Sequence, residues 1–217
     1  MSDWKNRWEQ EMIGWHNTEV NPHLKEHHDV LQERRKKPRI LVPLCGKSLD
    51  IRWLATEAKE VIGVELVQKA IDDFYQEQAQ HPQQTRREGL THYSHENVHL
   101  VCANIFDASS KRIGFFDSIY DRAALVALPL AQRQKYADHC LSLLKPEGSI
   151  LLITYDSPAP ETQGPPFPIK EGIVPTLYKN ATECTLLGEH LQKKEDDPRL
   201  QKRNLDWSRT CIWKIIR

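Results

Sequence analysis

Apolar residues fall along this chain in short solid runs, separated by stretches in which they recur at helical spacing. Residues 39–44, Arg-Ile-Leu-Val-Pro-Leu, are too few for a helix and too apolar for a surface strand, so they predict a buried strand. Ile51, Leu54, Ala55 and Ala58 then recur at i, i+3, i+4 and i+7, which gives the following helix one apolar face. Ser48 suits its N-cap and Asp50 its first turn. A second run, 60–66, leads in the same way into Val67, Ala70, Ile71 and Phe74. Residues 97–106 and 115–120 read as two further strands. Ala137, Cys140, Leu141 and Leu144 share one face of a helix that stops at Lys145-Pro146. A Lys-Pro-Glu-Gly turn follows, and then 149–156, the strongest strand in the chain. Strands alternating with helices need crossover connections, so the sheet is expected to be mostly parallel with helices on both faces.

The tail breaks this alternation. Residues 184–191 and 210–216 are apolar runs with no helix between them, which predicts an antiparallel hairpin whose solvated loop is Gln-Lys-Lys-Glu-Asp-Asp-Pro-Arg-Leu-Gln-Lys-Arg. Residues 81–96 read as an irregular polar loop. The expectation is a single α/β domain over residues 1–217, built on a mostly parallel seven-stranded, Rossmann-like sheet and closed by the C-terminal hairpin. Residues 1–38 form a helical extension before the first strand. This is the plan of the class I S-adenosylmethionine-dependent methyltransferases, although flavodoxin-like and dehydrogenase sheets share most of it.

Composition narrows the partners. The 217 residues, 39% of them hydrophobic, suffice for one full core. Thirty basic residues balance thirty acidic ones, which argues against a polyanionic partner such as nucleic acid. No run of eighteen apolar residues and no basic-then-apolar leader occurs, so a soluble, unexported, cytoplasmic chain with no membrane partner is expected. The five cysteines are far apart in apolar stretches, which suits reduced buried thiols. The ten histidines show no ligand spacing, and no metal site is expected.

The turn after the first strand contains Gly46-Lys47-Ser48, which is also how a nucleotide-triphosphate loop ends. That loop requires a second glycine five positions earlier, and the chain has Leu41 there, with Pro43 offering no N–H. The glycine-rich dinucleotide fingerprint is missing as well, since Gly46 stands alone. A ligand held here is not held by phosphates. In an open α/β sheet it lies beyond the carboxyl ends of the strands, near Leu44-Cys45-Gly46, Glu65, Asn104 and Asp121-Arg122. Gly46 lets backbone approach a ligand closely, and Glu65, about twenty residues later, can accept from both ribose hydroxyls. Together they describe an adenosine site without a phosphate cradle, against the plainer reading of a capping glycine and a surface glutamate.

The segments "VPLCGKSLDIRWL", "VIGVEL", "IYDRAALVALP" and "GPPF", with the leader "WKNRWEQEMIGWHNTEVNPHL", resemble the thiopurine S-methyltransferase family from about Trp4 to Phe167. The resemblance implies S-adenosyl-L-methionine as cofactor, with S-adenosyl-L-homocysteine as its product. It places cofactor contacts at Trp4, Trp8, Leu44, Gly46, Glu65, Asn104, Ile105 and Arg122, and a substrate contact at Trp15. It further implies that the leader from Trp4 to Trp15 is a lid. Arg122 and Asp121 are the candidate catalytic pair, with a structural ion pair the other reading of Asp121. Cys45 is a tempting nucleophile whose plainer role is packing in the turn. The expected activity is methylation of small aromatic or heterocyclic thiols such as thiopurines by direct in-line transfer, in a monomer. The alternatives are methylation of selenium or tellurium compounds or of halide and thiol ions, and cofactor binding without catalysis.

Overall fold

The computed structural model describes residues 2–217. Nine strands form one sheet: β1 (Arg39–Pro43), β2 (Glu60–Glu65), β3 (Gln83–Arg87), β4 (Leu90–His95), β5 (Val98–Cys102), β6 (Phe116–Arg122), β7 (Leu144–Asp156), β8 (Glu183–Lys193) and β9 (Trp207–Ile216). Their order is β3-β4-β5-β2-β1-β6-β7-β9-β8. The five central strands, β5 to β7 in that order, pair in parallel. An antiparallel hairpin flanks them at each end, β3–β4 on one side and β8–β9 on the other. The seven-stranded, mostly parallel expectation is therefore corrected to a nine-stranded mixed sheet, half of whose pairings are antiparallel.

The extra hairpin occupies residues expected to form an irregular loop. Glu88 and Gly89 connect its strands with φ of 48° and 78°, the left-handed pair that a two-residue hairpin turn needs. Its outermost strand, Gln-Gln-Thr-Arg-Arg, is polar on both faces because it is a solvated edge, so no apolar alternation marks it in the sequence. At the other end, β8–β9 confirms the expected tail hairpin, and its charged connection carries a short helix, Pro198–Arg203.

Strand alternation builds two cores, one per sheet face. Leu41, Ile62, Val64, Ile119, Ile150 and Leu152 join one cluster, while Ile40, Val42, Val61, Tyr120, Leu151 and Ile153 join the other. The helix Asp50–Glu57 covers the second with Ile51 and Leu54, and the helix Leu130–Leu143 covers the first with Tyr136, Ala137, Cys140 and Leu141. The N-cap of the first of these helices is Leu49, which makes no side-chain capping bond, rather than the expected Ser48; the Ser48 hydroxyl, one position earlier, accepts the Asp50 N–H at 3.2 Å. The leader contains three short helices, Ser2–Glu9, Pro22–Glu26 and Asp29–Gln32. No helix among the described residues is long and apolar enough to cross a membrane.

Gly63, in the middle of β2, shows how tightly the sheet face is packed. A Cβ there would lie 2.5 Å from Leu100 Cδ2 and 2.6 Å from Cys45 Sγ. Gly63→Ala is expected to lower stability by about 1–3 kcal/mol through overpacking, measured by urea unfolding. An unchanged midpoint would show that Leu100 and Cys45 can yield.

Candidate active site

The carboxyl ends of β1, β2, β5 and β6 open into a cavity of about 560 Å³, within the range of small-ligand sites. The order of strands reverses at β1, so this is the crevice where an α/β sheet takes its ligand. The turn after β1 is unusual backbone. Leu44 and Gly46 both adopt left-handed conformations, φ 46° and 53°, and both line the cavity. A non-glycine residue holds such a φ only when its surroundings impose it.

Glu65 is the imposing group. One carboxylate oxygen accepts the Gly46 N–H and the other the Val67 N–H, both at 2.8 Å. The Cys45 N–H donates to the Val64 carbonyl and completes the splice between β1 and β2. Glu65 is buried, and desolvation raises its proton affinity above the ordinary carboxylate value while the backbone donors oppose that rise. Two oxygens offer about four lone-pair sites, more than the backbone donors around Glu65 use, and Glu65 lines the cavity. Over the same turn lies Trp8, 3% exposed, and a Cβ on Gly46 would come within 3.2 Å of its ring. Cys45 packs beneath, and burial together with Glu65 pushes its thiol well above the ordinary value, so the thiolate a nucleophile needs is suppressed.

The leader lines the cavity with aromatic rings. Trp15 stands edge-to-face with Trp4 at 5.2 Å and with Trp8 at 6.1 Å. Trp8 packs on Val67 and Ala70 at the start of the helix Gln68–Gln76, in a small cluster separate from the two main cores. His16 also lines the cavity, and burial followed by nearby Lys47 lowers its proton affinity, so the imidazole is neutral near pH 7. Behind the leader, Asp50 accepts the Asn21 N–H at 2.8 Å and the Tyr120 hydroxyl at 3.0 Å, which ties the end of the leader to the cavity wall.

The other candidate residues divide at the end of β6. Arg122 lines the cavity and makes no ion pair among the described residues. Asp121 points away from it. Its carboxylate is fully buried behind the wall, accepting from the Tyr136 hydroxyl at 2.7 Å and the Leu125 N–H at 3.2 Å. Neither partner is a cation, so the ion-pair reading of Asp121 is not what the structure contains; it braces the turn that follows Arg122. Ala123 in that turn has φ 65°. Asn104 caps the turn Ile105–Asp107 by accepting the Phe106 N–H at 3.1 Å, and both Asn104 and Ile105 line the cavity.

Sequence reading reached Trp4, Trp8, Trp15, Leu44, Gly46, Glu65, Asn104, Ile105 and Arg122, all of which the fold brings to one cavity. It missed His16, Tyr120, Phe106, Lys135 and the structural part played by Asp50. Lys135 places its ammonium 4.5 Å from the Phe106 ring, and both line the cavity, as do Pro165 and Pro166 of the Gly-Pro-Pro-Phe segment. The fully buried Arg133 joins this wall to its support, donating to the carbonyls of Leu128 and Pro168 and pairing with Glu161 at 2.9 Å.

The family model for thiopurine S-methyltransferase matches residues 1–217. The thiopurine S-methyltransferase of Nitrosospira multiformis is 40% identical over 213 residues, covering 98% of this chain and 96% of that one. The enzyme of the same name from Legionella pneumophila is 38% identical, with the same coverage of 98% and 96%. Among solved structures, the 1,6-didemethyltoxoflavin-N1-methyltransferase of Burkholderia thailandensis, crystallised with S-adenosylhomocysteine, is similar in fold with a TM-score of 0.64 at 15% identity, covering 100% of this chain and 86% of that one. The N-methyltransferase NodS of Bradyrhizobium japonicum gives 0.62 at 14% identity, covering 98% and 97%.

Burial raises the Asp121 carboxyl to about 6. Between the unfolded value near 4 and that figure, the native state holds a proton the unfolded chain has lost, so stability falls as pH rises through this window. The contribution lost is at most about 3 kcal/mol. Asp121→Asn cannot titrate, so the stability advantage of wild type over the variant should shrink as pH rises from 4 to 6.5. Urea unfolding at both pH values measures it, and a constant difference would mean Asp121 is ionised throughout.

Proposed function

The chain belongs to the thiopurine S-methyltransferase family and is an S-adenosylmethionine-dependent methyltransferase, and from that premise we propose that it methylates small aromatic or heterocyclic thiols of the thiopurine type. The observation that carries the reading is the Glu65 carboxylate, buried at the cavity edge with lone pairs to spare, beside a close-approach glycine under an indole ring. That arrangement suits an adenosine with two ribose hydroxyls. The largely apolar, aromatic-lined cavity suits a sulfonium, for which an indole face contributes about 0.5–2 kcal/mol.

In this reading Glu65 holds the ribose, Leu44, Asn104 and Ile105 frame the nucleoside, and Trp4 and Trp8 close over it. S-adenosylmethionine supplies an electrophilic methyl group. A thiol that ionises readily needs little from a protein base, so the chain's contribution is positioning and the exclusion of water. Trp15 packs against the acceptor ring. Arg122, a fixed fork of donors on the cavity wall, orients the reacting groups. His16, neutral on the wall, takes the proton of an acceptor that arrives as a thiol. Asp121 acts only through the backbone it braces behind Arg122. Residues 4–15 work as the lid of a single domain, and the later part of the N-terminal extension packs into its core through Leu24, Val30 and Leu31.

Thermal shift tests the cofactor half. S-adenosylmethionine and S-adenosylhomocysteine should each stabilise the fold, by about 2.7 kcal/mol at a hundred times the dissociation constant, and ATP should not. Radiolabelled methyl transfer across thiopurines, aryl thiols, halides, selenite and tellurite tests the acceptor half. Stabilisation without labelled thiol product would overturn the proposed activity.

The lid also separates by variant. Because Trp8, Val67 and Ala70 form their own cluster, a chain lacking residues 1–16 should stay folded by circular dichroism yet lose most methyl transfer. Trp15→Ala should raise the acceptor KM more than the cofactor Kd, and Trp8→Ala should do the reverse. Full activity of the truncated chain would remove the leader from the chemistry.

A further inference from the structure

On the opposite flank of the leader junction, three side chains from distant parts of the chain converge. His23 and Glu26 lie one turn apart on the helix Pro22–Glu26, and His190 comes from β8, the outer strand of the tail hairpin. One donor atom from each lies within 4.8 Å of the other two. The imidazoles of His23 and His190 face one another with centroids 4.3 Å apart. Nδ1 of His23 is buried and has no hydrogen-bond partner, the carboxylate of Glu26 standing 3.7 Å away, too far for one. His27 Nε2 stands 3.8 Å from the same Glu26 carboxylate, a further imidazole at the rim.

We propose that His23, Glu26 and His190 form a binding site for a divalent transition metal of the zinc type, which fastens the leader to the C-terminal hairpin. Two imidazoles and one carboxylate are a donor set that favours zinc, cobalt or copper over magnesium and calcium, which require oxygen ligands. With three protein ligands the ion keeps a position for water. Small side-chain rotations close the present separations to metal-bonding ones, and the orphan nitrogen gains its partner.

The location gives the site a consequence. The Asn21 side chain accepts the His23 N–H at 2.9 Å, and the Asn21 N–H donates to Asp50, which holds Tyr120 of the cavity wall. A metal on His23 therefore fixes the residues at which the aromatic lid joins the sheet. Sequence spacing could not reveal the cluster, since His190 lies 167 positions beyond His23 and reaches it only because the β8–β9 hairpin runs back along the sheet edge.

Titration of the tag-free full-length protein with Co²⁺, without cofactor and followed by visible absorption, tests the proposal; Zn²⁺ competition then reports its affinity. Wild type should bind one ion per chain with visible ligand-field bands, displaced by zinc. His190→Ala, on an exposed strand where folding is not at risk, should weaken binding at least tenfold, as should Glu26→Gln. Zn²⁺ should raise the melting temperature of wild type but not of His190→Ala. Absence of binding in wild type, or wild-type affinity in His190→Ala and Glu26→Gln, overturns the site. Neither outcome depends on methyl transfer.

Discussion

One carboxylate holds the site together. Glu65 spans the gap between the ends of β1 and β2, taking the N–H of Gly46 with one oxygen and that of Val67 with the other. Without it the left-handed Leu44 and Gly46 have no fixed reason to stay so, and the ring of Trp8 loses the flat backbone it rests on. Glu65 is buried at a cost in desolvation, and charge-assisted bonds to two backbone donors offset that cost. Glu65 also lines the cavity, so the group that shapes the turn is also the group available to a ribose.

The rest of the wall is held by buried polar groups that act at one remove. Asp121 braces the backbone behind Arg122, Asp50 joins the leader to Tyr120, and Arg133 ties the loop after β6 to the segment containing Pro165 and Pro166. Each satisfies donors or acceptors that would otherwise be orphaned in the interior. The rigidity matters because methyl transfer gains from fixed distances rather than from a strong acid or base. The aromatic cluster of Trp4, Trp8 and Trp15 stands apart from this frame and packs on it at Val67, Ala70 and the Gly46 turn.

Much of this was legible before any coordinates. The parallel strands show themselves as solid apolar runs because both faces of each are covered, and the helices by spacing, Ile51 to Ala58 and Val67 to Phe74 among them. The β3–β4 hairpin was not legible, since Gln83–Arg87 is solvated on both faces and its turn chemistry rests on Glu88-Gly89 alone. Glu65 could be read from its distance to Gly46, and the tryptophans from their density in the leader. Tyr120 and Asp50 could not, because nothing in either local pattern reveals a bond across seventy positions. Asp121 looked like an active-site acid by position, and only the direction of its side chain separates it from Arg122.

The dependence of the site on Glu65 is most directly tested by calorimetric titration of S-adenosylmethionine into Glu65→Ala and Glu65→Gln, each first shown to be folded. Loss of the charged acceptor should weaken cofactor binding in Glu65→Ala by about 1.5–3 kcal/mol, roughly ten- to a hundredfold or more. Glu65→Gln keeps one acceptor oxygen and should lie between that variant and wild type. Wild-type affinity in a folded Glu65→Ala would contradict the account, because the ribose would then be held elsewhere and the turn would not need its clamp.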